Sequence, residues 1–180
     1  MAVPVMTSQI LTTVSQVNKT NTNSGSLSSL NVQDQAGTAD TPASYVSFQT
    51  PEGSYSGYLS FTLPQGAEAR TISSLLLQVN FKRPATNQIW TWSVYDPASG
   101  MWINLGNSVG TTAGQWQSLV LRIPQPWRFV SPTNEIRIQL RSNNNNGDLK
   151  IDYEALHITY LSDPIMPIEP PVNTRRPGGF

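Results

Sequence analysis

The sequence predicts an all-β fold: an antiparallel two-sheet sandwich of the jelly-roll type with extended N- and C-terminal arms. Apolar residues recur with a period of two in one segment after another, which gives each segment a single apolar face. Charged residues make up only 12 % of the chain, and Ser, Thr, Asn and Gln take their place. That composition suits the outer faces of twisted sheets better than the surfaces of helices.

Composition divides the chain into three zones. Residues 1–23 form an N-terminal arm that ends in the polar run from Asn18 to Asn23. Residues 24–160 alternate apolar and polar positions and form the β-sandwich domain. Residues 161–180 form a C-terminal arm with five prolines, a composition that cannot build the interior of a sheet.

Several segments of the middle zone share a one-sided apolar pattern, and each is predicted to be a half-buried strand. Their apolar positions are Leu59, Phe61 and Leu63; Leu75, Leu77, Val79 and Phe81; Trp90, Trp92 and Val94; Leu119, Leu121 and Ile123; and Ile136, Ile138 and Leu140. Turn residues separate the segments, and eight or nine short strands of this kind indicate a sandwich.

Two hairpins are predicted from turn residues between strands. Residues 96–100, Asp-Pro-Ala-Ser-Gly, connect the Trp90 strand to a short strand at 102–105. Residues 143–148 connect the strand at 135–141 to a long last strand at 149–160. In that second hairpin the apolar register sets Arg137 opposite Glu154 and Gln139 opposite Asp152 on the outer face.

The last predicted strand changes its alternation partway along. Leu149, Ile151 and Tyr153 share one face with Ala155, whereas Leu156, Ile158 and Tyr160 follow on the other. One extra residue near Ala155 and Leu156 restores a single buried side, so a β-bulge is predicted there. The alternative is that both faces are covered at this end.

Charge and composition exclude several classes of function. The chain carries 11 basic and 11 acidic residues without a basic stripe, which disfavours nucleic-acid binding. It has no cysteine, so disulfides and thiolate metal sites are excluded. No apolar run is long enough to span or enter a membrane, and the start does not have the pattern of an export signal. A virion or an extracellular location is expected.

Three stretches carry a resemblance to a known kind of domain: residues 24–34, the hairpin at 90–105, and residues 146–156. Together they resemble the galactose-binding-like β-sandwich, the carbohydrate-binding-module type that recurs in bacterial extracellular proteins. The resemblance implies a sandwich over about residues 24–160. It also implies glycan binding, adhesion or a spacer role.

Catalysis is not expected. His157 is the single histidine, and no Gly-x-Ser-x-Gly turn accompanies it. Asp152 and Glu154 share a strand face, but basic residues are expected opposite them, so a solvated row of ion pairs is the preferred interpretation. No cofactor is expected. A structural calcium remains open, because related sandwiches often hold one, and its candidate ligands are Asp34, Asp40, Asp148 and Asp152.

Aromatic residues are the best candidates for binding a ligand. One or both of Trp90 and Trp92 are expected to fill the core. Trp102, Trp116 and Trp127 lie near turns, where a flat ring can stack on a sugar or on another protein, or can cap the sandwich. Tyr58, on the face opposite Leu59, is the fourth candidate.

The arms decide the preferred hypothesis for function. Apolar residues stand among the prolines of the C-terminal arm and are predicted to contact neighbouring subunits: Ile165, Met166, Ile168, Val172 and Phe180. A non-catalytic assembly protein is therefore favoured, such as a phage capsid decoration or tail protein or an extracellular filament subunit, which self-associates or joins other structural subunits. The alternative is a carbohydrate-binding module that uses exposed aromatic residues.

Overall fold

The computed structural model describes residues 5–13, 15–18, 23–50, 53–84 and 87–162. These residues form two antiparallel sheets that pack face to face, so the prediction of an all-β two-sheet sandwich is confirmed. Four short 3₁₀ turns complete the described secondary structure, and none of the described helices is long and apolar enough to cross a membrane. The strands are β1 (Val5–Thr12), β2 (Ser15–Asn18), β3 (Asn23–Ser24), β4 (Val46–Phe48), β5 (Ser56–Thr62), β6 (Ile72–Lys82), β7 (Trp90–Asp96), β8 (Met101–Asn107), β9 (Trp116–Arg122), β10 (Glu135–Ser142) and β11 (Leu149–Ser162).

The six-stranded sheet has the order β3-β4-β11-β6-β9, and β1 pairs with β11 as well. The long strand β11 accommodates both β4 and β1 along one edge, because β4 pairs with residues 149–151 and β1 with residues 155–162. Val5 pairs with Ser162, so the start of β1 lies beside the end of β11. The five-stranded sheet has the order β2-β5-β10-β7-β8.

The core between the sheets is built by the apolar faces that the period of two predicts. Phe81 of β6 and Trp92 of β7 meet across the two sheets with ring centroids 5.1 Å apart. Trp90 and Trp92 are both fully buried, as expected. Removing this much aromatic surface from water is a large stabilising contribution, since each such ring buries about 150–250 Å².

The predicted hairpin between β7 and β8 is confirmed, whereas the predicted hairpin between β10 and β11 is wrong. β7 pairs with β8 around the turn at residues 97–100. β10 pairs with β5 and β7, and β11 lies in the other sheet. Arg137 therefore faces Ser60 and Glu154 faces Val79. Two strands that face each other across a core have the same pattern of inward apolar residues as two strands paired in one sheet. The apolar register therefore could not distinguish these two arrangements.

The pairing of β11 with β6 has two register shifts, one at residues 159–160 and one three residues before the predicted bulge. Ile151 pairs with Phe81 and Tyr153 with Asn80, so Asp152 is the extra residue. After the bulge, Glu154 faces inward with Leu156, while Tyr153 turns outward. The predicted row of solvated ion pairs is therefore wrong, because Asp152 and Glu154 point to opposite sides and both are buried.

The N-terminal segment is part of the sandwich over its described residues. β1 pairs with β11 and β2 pairs with β5, which corrects the prediction of an N-terminal arm for residues 5–12 and 15–18. Most side chains of β1 are exposed and Leu11 alone is buried, so the strand lacks a visible apolar face. The C-terminal residues proposed to contact subunits lie outside the described residues: Ile165, Met166, Ile168, Val172 and Phe180.

Candidate functional site

A strap, residues 31–41, crosses part of the outer face of the six-stranded sheet. The Asp152 carboxylate anchors it by accepting backbone N–H bonds from Asp34 and Gln35, at 3.0 and 2.7 Å. The amide of Asn80 donates to the same carboxylate at 2.7 Å and to the Gln35 carbonyl at 3.0 Å. Burial raises the pKa of Asp152, against the lowering effect of these three donors. The bulge thus turns a carboxylate out of the sheet to hold a loop across it.

The far end of the strap is held by β9 and by two lysines. Trp116 donates its backbone N–H to the Gly37 carbonyl at 2.8 Å and its indole N–H to the Ala39 carbonyl at 2.7 Å. Lys82 and Lys150 bind the Asp40 carboxylate at 3.0 and 2.5 Å. These contacts close the outer face of this sheet around residues 31–41.

The outer face of the five-stranded sheet carries an aromatic group, defined as Tyr58, Tyr95, Trp102 and Arg137. The Trp102 ring lies 5.1 Å from the ring of Tyr95 and 5.8 Å from that of Tyr58, between centroids. The guanidinium carbon of Arg137 lies 5.5 Å from the Tyr58 ring and 5.9 Å from the Tyr95 ring. The cation and the rings therefore hold one another in place.

The contact between Trp102 and Tyr58 spans the sheet. Tyr58 belongs to β5 and Trp102 to β8, with β10 and β7 between them. Three inter-strand spacings place the two backbones about 14 Å apart, so the rings lean toward each other over the central strands. They form a wall on the outer face.

A groove of about 360 Å³ lies beside this wall. Its floor is made by side chains that alternate outward from the buried positions of β7 and β10. Trp102 and Asn104 of β8 close one side, and the connection after β10 forms the rim. The lining residues are Thr91, Ser93, Trp102, Asn104, Gln139, Arg141, Ser142 and Asn143.

Most polar side chains of the groove are free. Within the part of the chain that the structure describes, the side chains of Thr91, Ser93, Asn104, Gln139 and Arg141 donate or accept no hydrogen bond. Gln139 and Ser93 are nevertheless only 7 % exposed. Neither side chain has an unpaired polar atom sealed from solvent, so their polar ends are open to the groove, and polar groups that converge on a pocket are typical of a ligand site.

Two of the four aromatic candidates meet in the wall beside this groove, and one of them, Trp102, lines it. Trp102 and Tyr58 belong to the aromatic group, as described. Trp116 is buried at the edge of the other sheet, where the strap covers it and Tyr45 packs at 5.7 Å. Trp127 stands apart on the 3₁₀ turn Pro126–Phe129 and is 53 % exposed.

Sequence reasoning missed Tyr95 of the aromatic group and much of the groove: Thr91, Ser93, Asn104, Gln139 and Arg141. The sequence contains a signal for the residues on β7. There the outward Thr91, Ser93 and Tyr95 alternate with buried apolar side chains. Gln139 and Arg141 alternate in the same way with Ile138 and Leu140. What the pattern does not contain is the adjacency of β7 and β10, which brings these two outward rows together.

The four acids considered for calcium do not form one cluster, although Asp34 and Asp152 are neighbours at the anchor of the strap. Asp34 accepts from the Gln35 side chain, Asp40 binds two lysines, and Asp148 accepts the Thr50 backbone N–H at 3.0 Å. Asp152 holds the strap. No group of three or more potential metal ligands occurs among the described residues, and a structural calcium stays a prediction.

His157 and Glu154 are the remaining groups considered for chemistry. His157 is half-buried on the outer face of the six-stranded sheet, with its Nε2 3.3 Å from the Tyr153 hydroxyl. Glu154 lies in the core, where its carboxylate and the Trp92 indole N–H have no hydrogen-bond partner at normal distance among the described residues. Burial raises the pKa of Glu154 to about 8, which the Trp92 indole N–H offsets only in part.

Comparison with known proteins gives one family. The model of the N-terminal glycosyl-hydrolase-114-associated domain matches residues 30–153. No curated protein matches the chain.

Similar solved structures have low sequence identity. A structure of TmCBM61 in complex with β-1,4-galactotriose is 16 % identical over 87 % of this chain and 88 % of that one, with a TM-score of 0.42. A family 35 carbohydrate-binding module from an environmental isolate is 14 % identical over 88 % and 99 %, with a TM-score of 0.43. The xylan-binding module CBM15 is 11 % identical over 89 % and 99 %, with a TM-score of 0.44.

Proposed function

We propose that this chain, which belongs to the N-terminal glycosyl-hydrolase-114-associated domain family, is a non-catalytic carbohydrate-binding module whose ligand lies in the groove on the five-stranded sheet. The family match confirms the resemblance to a carbohydrate-binding type of sandwich. The module works outside the cell beside a glycosyl hydrolase, because polysaccharides are extracellular polymers and the family is named for that association.

The observation that carries this proposal is the meeting of an aromatic wall with unpaired polar side chains. A sugar ring has apolar C–H faces and a rim of hydroxyls. Trp102 offers a flat apolar surface for the first, and the amides and hydroxyls of Gln139, Asn104 and Ser93 offer donors and acceptors for the second. A groove with this lining fits a saccharide better than a purely apolar or purely charged ligand.

The wall is also rigid before a ligand arrives. Trp102 is packed against Tyr95 and Tyr58, and Arg137 is stacked on both tyrosines and paired with Glu135 at 3.3 Å. Side chains that are already ordered lose little conformational entropy on binding. This arrangement favours a groove that is ready for its ligand.

The family and the groove favour the carbohydrate-binding alternative over the assembly protein that the arms suggest. The assembly hypothesis depends on Ile165, Met166, Ile168, Val172 and Phe180, which lie outside the described residues. A virion role therefore stays a prediction without support from the described part of the chain.

Affinity electrophoresis and titration calorimetry with soluble β-1,4-galactan, xylan, cellulose derivatives and polygalacturonate test the proposal. We expect at least one polysaccharide to bind, and Trp102→Ala to weaken that binding at least about ten-fold, because an aromatic anchor contributes about 2 kcal/mol or more. Trp127→Ala is the matched control, since this exposed ring lies away from the groove, and it should bind normally. Binding that Trp102→Ala leaves intact would refute the proposal, as would the absence of binding across the panel.

A further inference from the structure

We propose that the groove selects saccharides that carry an anionic group, a carboxylate or a sulfate ester, and that Arg141 binds this group. The inference rests on the proposed carbohydrate binding and adds the chemical class of the ligand.

The lining residues of the groove carry positive charge and no negative charge. Arg141 is the one charged residue among its lining side chains, and no acid stands among them. Arg141 pairs across the sheet with Ser56 on β5 and Thr91 on β7, neither of which is charged. Among the residues that the structure describes, no carboxylate pairs with its guanidinium, which is therefore available to a ligand in the groove.

Several other cations among the described residues are neutralised by acids, whereas Arg83 and Arg122 have no ion pair there. Lys82 and Lys150 share Asp40, Arg128 binds Asp96, and Arg137 binds Glu135. Arg141 is exposed and makes no ion pair or hydrogen bond within residues 87–162 or the other described ranges. A free guanidinium offers a planar set of N–H donors that matches the two oxygens of a carboxylate or sulfate.

A second donor stands beside Arg141 on the rim. The Asn143 side-chain carbonyl accepts the Ile89 backbone N–H at 2.9 Å, which fixes the orientation of this amide. The free end of Asn143 is therefore its NH₂ group, a donor. Arg141 and Asn143 both line the groove and offer it free N–H donors, which favours an anionic substituent over a neutral hydroxyl.

The test compares chemically matched polymers on the full chain. Polygalacturonate and the same polymer with its carboxylates reduced to alcohols differ only in the anionic group, and a sulfated galactan with its desulfated form distinguishes a sulfate from a carboxylate. We expect the anionic member of at least one pair to bind at least about ten-fold more tightly, as charge-assisted hydrogen bonds predict. We also expect this preference to shrink as salt is raised.

Arg141→Gln is expected to remove the preference, since glutamine keeps a hydrogen-bonding amide but carries no charge to pair with the anionic group. Arg122→Gln is the matched control, because Arg122 is also exposed but lies on β9 of the other sheet, and it should keep the preference. Circular dichroism and thermal unfolding verify that both variants fold.

The possible failures are distinguishable. Equal or tighter binding of the neutral polymers, or an anionic preference that survives Arg141→Gln, overturns this inference and leaves the carbohydrate-binding proposal intact. An absence of binding to all of the polymers, neutral and anionic, overturns both.

Discussion

The two outer faces of the sandwich differ in whether their polar side chains have hydrogen-bond partners within the described residues. On the six-stranded sheet, polar groups form hydrogen bonds with the strap. Asp152, Asn80 and the Gln35 backbone are bonded to one another. On the five-stranded sheet, the largely buried side chains of Gln139 and Ser93 have no such partners among the described residues and open onto the groove. Where polar groups are satisfied internally a face serves stability, and where they are left free a face is available to a ligand.

The same contrast occurs within one strand. Asp152 and Glu154 are two residues apart on β11, yet the bulge sends the first carboxylate to three N–H donors and the second into the core. The first is satisfied and the second is not, so the two acids should respond differently to mutation and to pH.

The largest effect is expected from Glu154→Gln at alkaline pH. The pKa of Glu154 is about 8 in the folded chain, above its ordinary value of 4.5, so the folded state holds its proton more tightly than the unfolded state. The wild type therefore loses stability as pH rises from about 4.5 to about 8, by about 3–5 kcal/mol from this residue. Glutamine cannot ionise, so Glu154→Gln does not lose stability in this way as pH rises.

Urea unfolding from pH 4 to pH 9 measures the difference between the two proteins, which isolates Glu154 from other titrating groups. We expect Glu154→Gln to become progressively more stable than the wild type as pH increases. Parallel stability profiles would mean that the Glu154 carboxyl is solvated in the folded chain.

Removing the anchor of the strap should have the next largest effect. Asp152→Ala leaves two backbone N–H groups and the Asn80 amide without their acceptor, and each unsatisfied buried group costs about 1–3 kcal/mol. We expect a loss of about 3 kcal/mol or more in the free energy of unfolding by chemical denaturation. Asn104→Ala, on the open face, should change it by less than about 0.5 kcal/mol. Similar losses for the two variants would contradict the contrast between the faces.

The smallest effect is expected at the far end of the strap. Asp40→Asn removes the partner of Lys82 and Lys150, and these lysines hold the pKa of Asp40 below its ordinary value despite partial burial, which acts to raise it. Such partly exposed ion pairs contribute about 0–1 kcal/mol. The cost should fall when salt is raised, as thermal unfolding at low and high salt can show. A loss as large as that of Asp152→Ala would mean that the lysines, and not the bulge, hold the strap.

Much of the sandwich could be predicted from the sequence, and particular residues show why the rest could not. Strand β6 could be recognised in the sequence because every second side chain is apolar: Leu75, Leu77, Val79 and Phe81. In β1 apolar and polar side chains are both exposed and only Leu11 is buried, so the strand leaves no periodic signal of a buried face. Its position depends instead on backbone pairing with β11, which any sequence of extended residues can provide.

The groove was harder to predict than the fold. Trp102 and Tyr58 could be chosen as binding residues because both alternate with buried positions or lie near a turn. Their contact depends on the strand order β5-β10-β7-β8, which the outward faces of single strands do not encode. The free state of Gln139 and Arg141 likewise depends on which neighbours the fold brings near them.

The pairing of Val5 with Ser162 has a practical consequence. Polypeptide that enters at β1 and polypeptide that leaves at β11 do so from one corner, on the sheet that does not carry the groove. A fusion partner, a tether or a solid support joined at either position would leave the Trp102 face directed away from the attachment. This corner is therefore the natural place to immobilise the domain when its saccharide ligands are sought.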